Sequence, residues 1–280
     1  MTRKTGPTAV LSVLASAVLL LSAGCASHLR QAKAAYVRGQ EMARAYRTEP
    51  ALSAFKRAAL EAGIEARRNP SAQAYMIKGM AEASLELWRE AEVSFLAAFG
   101  LGFETGRAWA SDAAQLGLAV SFEELGLADP ALGVYERLVS KSAYEPVRLA
   151  AVQRYVELAT ERASELPAAE KSRALARVVT AIEKLEADNY ACGLYHYYHG
   201  QVESHRGDYR RSYEESVIAR ELGLPHERVL RDNDNQIVFC YDRLVSSLPE
   251  EERGAFEAAH GAWTRKWGWK DTRTPGWKKD

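Results

Sequence analysis

The stretch Ala72–Gly102, AQAYMIKGMAEASLELWREAEVSFLAAFGLG, limits the fold more than any other part of the chain. Tyr75 and Gly79 are four apart, and Trp88, Ala91, Phe95 and Ala98 step by three or four. Both spacings put their residues on one side of an α-helix. Small residues at Gly79, Ala91 and Ala98 let two helices approach closely, and Tyr75, Trp88 and Phe95 fill the spaces between. The spacing predicts a helix hairpin that cannot bury its apolar faces alone and must stack on its neighbours.

The rest of the chain from about residue 27 to 267 follows the same pattern. Pro50, Pro70, Pro130, Pro146, Pro167, Pro225 and Pro249 each stand just before a helical apolar pattern. Proline is tolerated there because its missing N–H would have no partner in the first turn. Asp129 reads as an N-cap ahead of Pro130. Nothing in the sequence alternates with the period of two of a β-strand. The periodicity predicts helices near 27–46, 51–68, 71–86, 88–101, 106–125 and 129–141, then 145–163, 167–187, 190–206, 209–222, 226–247 and 249–267. Short loops between them make successive helices antiparallel neighbours, six hairpins in all.

The order of small and large residues in Ala72–Gly102 resembles the tetratricopeptide repeat (TPR), a helix–turn–helix unit of about 34 residues that stacks into a superhelix. Two further hairpins share it. One runs near Asp112–Val139, with Ala119, Gly126, Ala131 and Tyr135, and one spans Gly193–Leu222, with Gly200 and Gly207-Asp208-Tyr209. Glu86 stands where the family usually has the turn glycine, and Phe103 where it often has proline. The resemblance implies an all-α fold, a right-handed superhelix (solenoid) of TPR-like antiparallel helix hairpins over 25–267. It also implies a concave groove lined by the first helix of each hairpin. Carried onto this chain, the groove positions are Gln73, Met76 and Met80; Leu116, Val120 and Glu123; and Tyr197, Gln201 and His205. None is the Lys or Asn with which the family clamps a peptide carboxylate. A Met- and Leu-rich groove suits an apolar helix or extended peptide. The other outcome for these side chains is packing against the next hairpin.

The N-terminus carries an export signal. Arg3 and Lys4 precede an uncharged apolar run from Ala9 to Leu21, then Ser22-Ala23-Gly24-Cys25. This is the charge–apolar–small order of a secretory segment. Its end resembles a bacterial lipobox, with 1–24 as lipoprotein signal peptide and Cys25 as the lipidated residue. Two or more acyl chains hold a protein stably on a membrane surface. Ala26, in place of an Asp, resembles the release signal to the outer membrane, which implies a lipid-anchored protein on its periplasmic face. Loss of Arg3 and Lys4 leaves two more acids than bases, from 37 of each in the whole chain. That balance gives bulk nucleic acid nothing to hold.

Cys192 and Cys240 lie in a compartment that permits disulfides. With a repeat of about 34 residues, the level of Cys192 falls near His226, and Cys240 lies roughly 21 Å further on. A disulfide needs Cα atoms within about 7 Å. Two buried thiols are expected. At the C-terminus, residues 268–280 form a tail rich in Trp and Lys after Trp263 and Trp267. Capping of the last hairpin by those two tryptophans is one reading, and membrane or anionic contact by the tail is another.

Motifs for catalysis are weak. His196, His199 and Glu203 share one helix face, a spacing that suits zinc, but no His-Glu-x-x-His accompanies them. Asp232-Asn233-Asp234-Asn235-Gln236 lacks the Gly and closing Glu of a calcium loop and reads as a solvated helix face. Gly100, Gly102 and Gly106 miss the dinucleotide spacing and follow a helix rather than a strand. The sequence leads to a non-enzymatic scaffold lipoprotein without cofactor or resident metal. It would mediate protein–protein interactions in an envelope assembly for secretion, pilus formation or outer-membrane biogenesis. The competing expectation is a metal-binding envelope enzyme or sensor built on the His196/His199 face.

Overall fold

The computed structural model describes residues 27–104, 108–188 and 191–267. The signal segment, Cys25 and the tail 268–280 lie outside them. The described residues form twelve helices and no strand: α1 (Ser27–Arg44), α2 (Thr48–Arg68), α3 (Ala72–Ser84), α4 (Trp88–Leu101), α5 (Ala108–Glu124), α6 (Ala128–Lys141), α7 (Glu145–Ser164), α8 (Ala168–Asp188), α9 (Gly193–Arg206), α10 (Tyr209–Leu222), α11 (Glu227–Val245) and α12 (Glu250–Trp267). None of the described helices is long and apolar enough to cross a membrane. Each of the seven prolines stands in a first helical turn or just before one. The fold divides into two compact units between Tyr155 and Val156, within α7.

Four hairpins close in the same way. Tyr46, Glu86, Gly126 and Gly207 each follow a first helix with a positive φ, of 56°, 61°, 76° and 89°. The N–H of each donates to the carbonyl three residues back, at Ala43, Ala83, Glu123 and Ser204. The next residue donates to the carbonyl five back: Arg47 to Met42, Leu87 to Glu82, Leu127 to Phe122 and Asp208 to Glu203. This is the Schellman motif, and a glycine meets its left-handed conformation without strain. Tyr46 and Glu86 adopt it with a Cβ, which costs about 1–2 kcal/mol each.

The turns in the first unit recur at 40 residues, at 46, 86 and 126, rather than at 34. The extra residues fall in the 21-residue α2 in the first interval, and in the 17-residue α5 and the connection before it in the second. The α1–α2 hairpin, which the sequence showed only as helical periodicity, belongs to this series. Its signal was present in Gly39 and Phe55, each 40 residues before Gly79 and Phe95.

Each of those glycines meets its phenylalanine. A Cβ on Gly39 would stand 2.5 Å from the Phe55 ring, and one on Gly79 would stand 3.1 Å from Phe95. Phe95 also reaches α5, where a Cβ on Gly117 would lie 2.4 Å away. One fully buried ring thus occupies the junction of three helices. First helices also pack on first helices, α3 on both α1 and α5 in the first unit and α9 on α11 in the second.

Three local expectations are corrected. Asp129 is not a cap: α6 starts at Ala128, and Leu127 precedes it without a side-chain cap. The left-handed Gly126 already aims the Leu127 carbonyl at the Ala131 N–H, so Asp129 and Pro130 fall inside the first turn. Cys192 is a free thiol but only half-buried, because it stands at the start of α9; Cys240 is free and buried. Asn233 and Asp234 do not face solvent. The Arg220 guanidinium on α10 lies 2.9 Å from Asp234, and Asn233 donates to the Ser216 carbonyl. A cation and an acceptor from the neighbouring helix make burial of these two side chains tolerable.

In the second unit α10, α11 and α12 close around Tyr213, Ile237, Cys240, Tyr241, Leu244 and Trp263. Trp267 packs at its edge beneath Arg220, 4.0 Å from the ring centre. Both tryptophans therefore serve the last hairpin. His260 stacks on Tyr241 at 3.7 Å. Burial pushes its pKa down to about 4, so it is neutral in the core at ordinary pH.

Candidate functional site

Two sets of residues bear on function. The first is the series of groove positions. Met76, Met80 and Leu116 are fully buried, and Val120 and Tyr197 nearly so, each within its own unit. Gln73 and Gln201 are half-buried, and His205 is exposed. Glu123 is engaged inside the first unit. It accepts from the Tyr135 hydroxyl at 2.7 Å and is gripped by the buried Arg154 guanidinium at 3.0 and 3.1 Å. The side chains with surface left to offer are thus Gln73, Gln201 and His205. Larger exposed apolar surface lies on second helices, at Leu60 on α2 and at Val93, Leu96 and Leu101 on α4.

The second set is a buried cluster in the second unit, where α8, α9 and α10 meet. Gly200 on α9 brings it about. A Cβ there would lie 2.7 Å from the Ser216 hydroxyl, and the Ser212 hydroxyl donates to the Gly200 carbonyl at 2.7 Å. With small residues on both sides, α9 lies close against α10. One turn before Gly200, His196 then meets Glu215, with Nδ1 2.7 Å from the carboxylate. His199 turns toward α8, and its Nδ1 lies 2.9 and 3.0 Å from the two oxygens of Glu186. The two imidazoles share their acids: His196 Nδ1 is 3.4 Å from Glu186, and His199 Nδ1 is 3.7 Å from Glu215.

A further ring of charge surrounds these four side chains. Arg211 holds Glu215 at 3.0 Å, and Arg206 holds Glu203 at 2.8 Å. Glu203 stands 3.6 Å from Nε2 of His199, which has no hydrogen-bond partner. Burial by itself lowers the pKa of His199. The hydrogen bonds to Glu186, with Glu203 and Glu215 close by, outweigh it and raise the value to about 9. Glu215 is driven up by burial and down by His196, His199 and Arg211, and the net direction is down. No protein-family model matches the chain, and no curated protein matches it in sequence.

The sequence foresaw His196, His199 and Glu203 on one helix face. It missed Glu186 and Glu215, which arrive from the flanking helices. Glu186 has a sequence signal, an acid beside Leu185 on the apolar side of its helix; Glu215, between Glu214 and Ser216, has none.

Proposed function

We propose that this chain is a non-catalytic, TPR-like repeat scaffold, held at the periplasmic face of an outer membrane by a lipid on Cys25. Its partners are proteins of an envelope assembly. The observation that carries this is the recurring hairpin: the same left-handed turn four times, a glycine set against a phenylalanine beneath the first two, and first helices packed on first helices. Units of this kind stack because none hides its apolar faces alone, and stacking generates extended surfaces for partners. The exposed apolar residues Val93 and Leu96 supply one such surface, and Gln73, Gln201 and His205 supply polar edge positions on first helices.

Photocrosslinking side chains placed singly at Gln73, Gln201, Val93 and Leu96 test the scaffold in intact cells. Defined crosslinks from one helix set and not the other are expected, and they identify the docking face. Absence of protein crosslinks from all four positions overturns the scaffold. The anchor is tested separately: Cys25→Ser should abolish acyl labelling and release the protein from membranes. Unchanged membrane association overturns the lipid tether.

A further inference from the structure

We propose that Glu186, His196, His199 and Glu215 form a four-coordinate site for a divalent first-row transition metal, zinc foremost, which ties α8 to the α9–α10 hairpin. The site is independent of the scaffold reading and lies wholly within the second unit.

The donor atoms lie close to the dimensions of a coordination sphere. Zinc binds imidazole nitrogen and carboxylate oxygen at about 2.0–2.2 Å, so neighbouring donors in a tetrahedron stand about 3.3–3.5 Å apart. Taken over both oxygens of each carboxylate, the nitrogen–oxygen separations are 2.7, 2.9, 3.4 and 3.7 Å, and the two shortest are hydrogen bonds that open by about 0.5 Å when a metal takes the place of the proton. One donor atom each from Glu186, His196 and Glu215 lie within 4.8 Å of one another. The donors are buried and converge from three successive helices.

The surroundings fit as well. A metal-bound histidine almost always gives its other ring N–H to a carboxylate, which fixes the tautomer. With the metal on Nδ1 of His199, the proton sits on Nε2, the atom now without a partner, facing Glu203 at 3.6 Å. Arg206 holds Glu203, and Arg211 holds Glu215, so both acids are oriented from outside. Two imidazoles exclude calcium and magnesium, which take oxygen donors. Imidazole nitrogen suits zinc, copper, iron and nickel, and a closed four-donor tetrahedron is the geometry zinc takes among them. Four protein donors leave no open position, which is the pattern of a structural site rather than a catalytic one.

The test uses the full-length processed protein in detergent, stripped of metal by chelator in denaturant and refolded. Titration with cobalt(II) and zinc(II) should give one metal per chain, the absorption of four-coordinate cobalt, and its loss as zinc displaces it. X-ray absorption of the zinc form should count two imidazoles and no sulfur. His196→Gln and Glu215→Gln should each weaken binding at least about a hundredfold, and Glu203→Gln should weaken it about 10–100-fold while leaving the ligand count unchanged. Glu82→Gln, at the matching place in the α3–α4 hairpin, should leave affinity unaltered. Absence of stoichiometric metal, sulfur ligation, fewer than two imidazoles, or undiminished binding by folded His196→Gln and Glu215→Gln would each overturn the site. Where those variants fail to fold, the ligand count on the wild-type protein decides.

Discussion

The α3–α4 and α9–α10 hairpins are built to one plan, and their insides differ. Their turns, Glu86 and Gly207, align Gly79 with Gly200, Lys78 with His199, Glu82 with Glu203, Ser94 with Glu215 and Phe95 with Ser216. In α3–α4 the aligned polar residues form a closed set. Lys78 lies 2.7 Å from Glu82 and donates to the Ser94 hydroxyl at 2.8 Å, and that hydroxyl donates to Glu82 at 2.6 Å. One cation meets one anion and one hydroxyl, and the adjoining Phe95 supplies the packing. In α9–α10 the lysine has become an imidazole and the serine a carboxylate, and Ser216 replaces the ring. That hairpin is held by charge where the other is held by a buried aromatic. The same backbone can thus be closed by apolar area or by paired charges, and paired charges alone carry the chemistry of a metal site.

Four measurements would break or sharpen this contrast, the largest effect first. Phe95→Ala removes a fully buried ring from the junction of α3, α4 and α5 and should cost about 3–5 kcal/mol in urea unfolding followed by circular dichroism. A loss below about 1 kcal/mol would mean that the ring does not hold the first unit.

The second measurement is the pH dependence of the metal-free protein. The folded state raises His199 to about 9 from an unfolded value near 6.5. Its contribution is complete below the unfolded value and fades as pH rises through about 9. The thermal midpoint of the metal-free protein, in chelator, should fall between pH 6.5 and 9, and the fall should shrink in His199→Gln. A profile unchanged by that substitution would show that the imidazole carries no charge in the fold.

Glu86→Gly, third, relieves a left-handed side chain and should add about 1 kcal/mol to stability. Gly207→Ala should cost a similar amount, because it introduces a Cβ at the matching turn. Equal and opposite changes at the two turns would confirm that they are the same structural position, and changes of the same sign are the result that would separate them.

Ser216→Ala, the smallest, removes a buried hydroxyl that lacks a hydrogen bond and should shift stability by no more than about 0.5 kcal/mol. A loss of several kcal/mol, comparable to Phe95→Ala, would erase the distinction between the aligned positions.

The sequence by itself determined the helices, their order and their turns. Each rests on chemistry within a few residues: a 3.6-residue period, a proline in a first turn, a glycine at a left-handed position. Gly126 and Gly207 show their turns directly, and Glu86 conceals its turn because a residue with a Cβ holds the same φ. Even the 40-residue recurrence was present, in Gly39 and Gly79 followed by Phe55 and Phe95. Only the tertiary structure decided which polar residues meet. Glu186 and Glu215 lie 13 and 19 residues from their histidine partners. Whether such residues touch depends on how far apart two helices lie and how each is rotated about its axis. For His196 and Glu215 it was fixed by the close approach of Gly200 to Ser212 and Ser216, a contact across helices that no local periodicity reports.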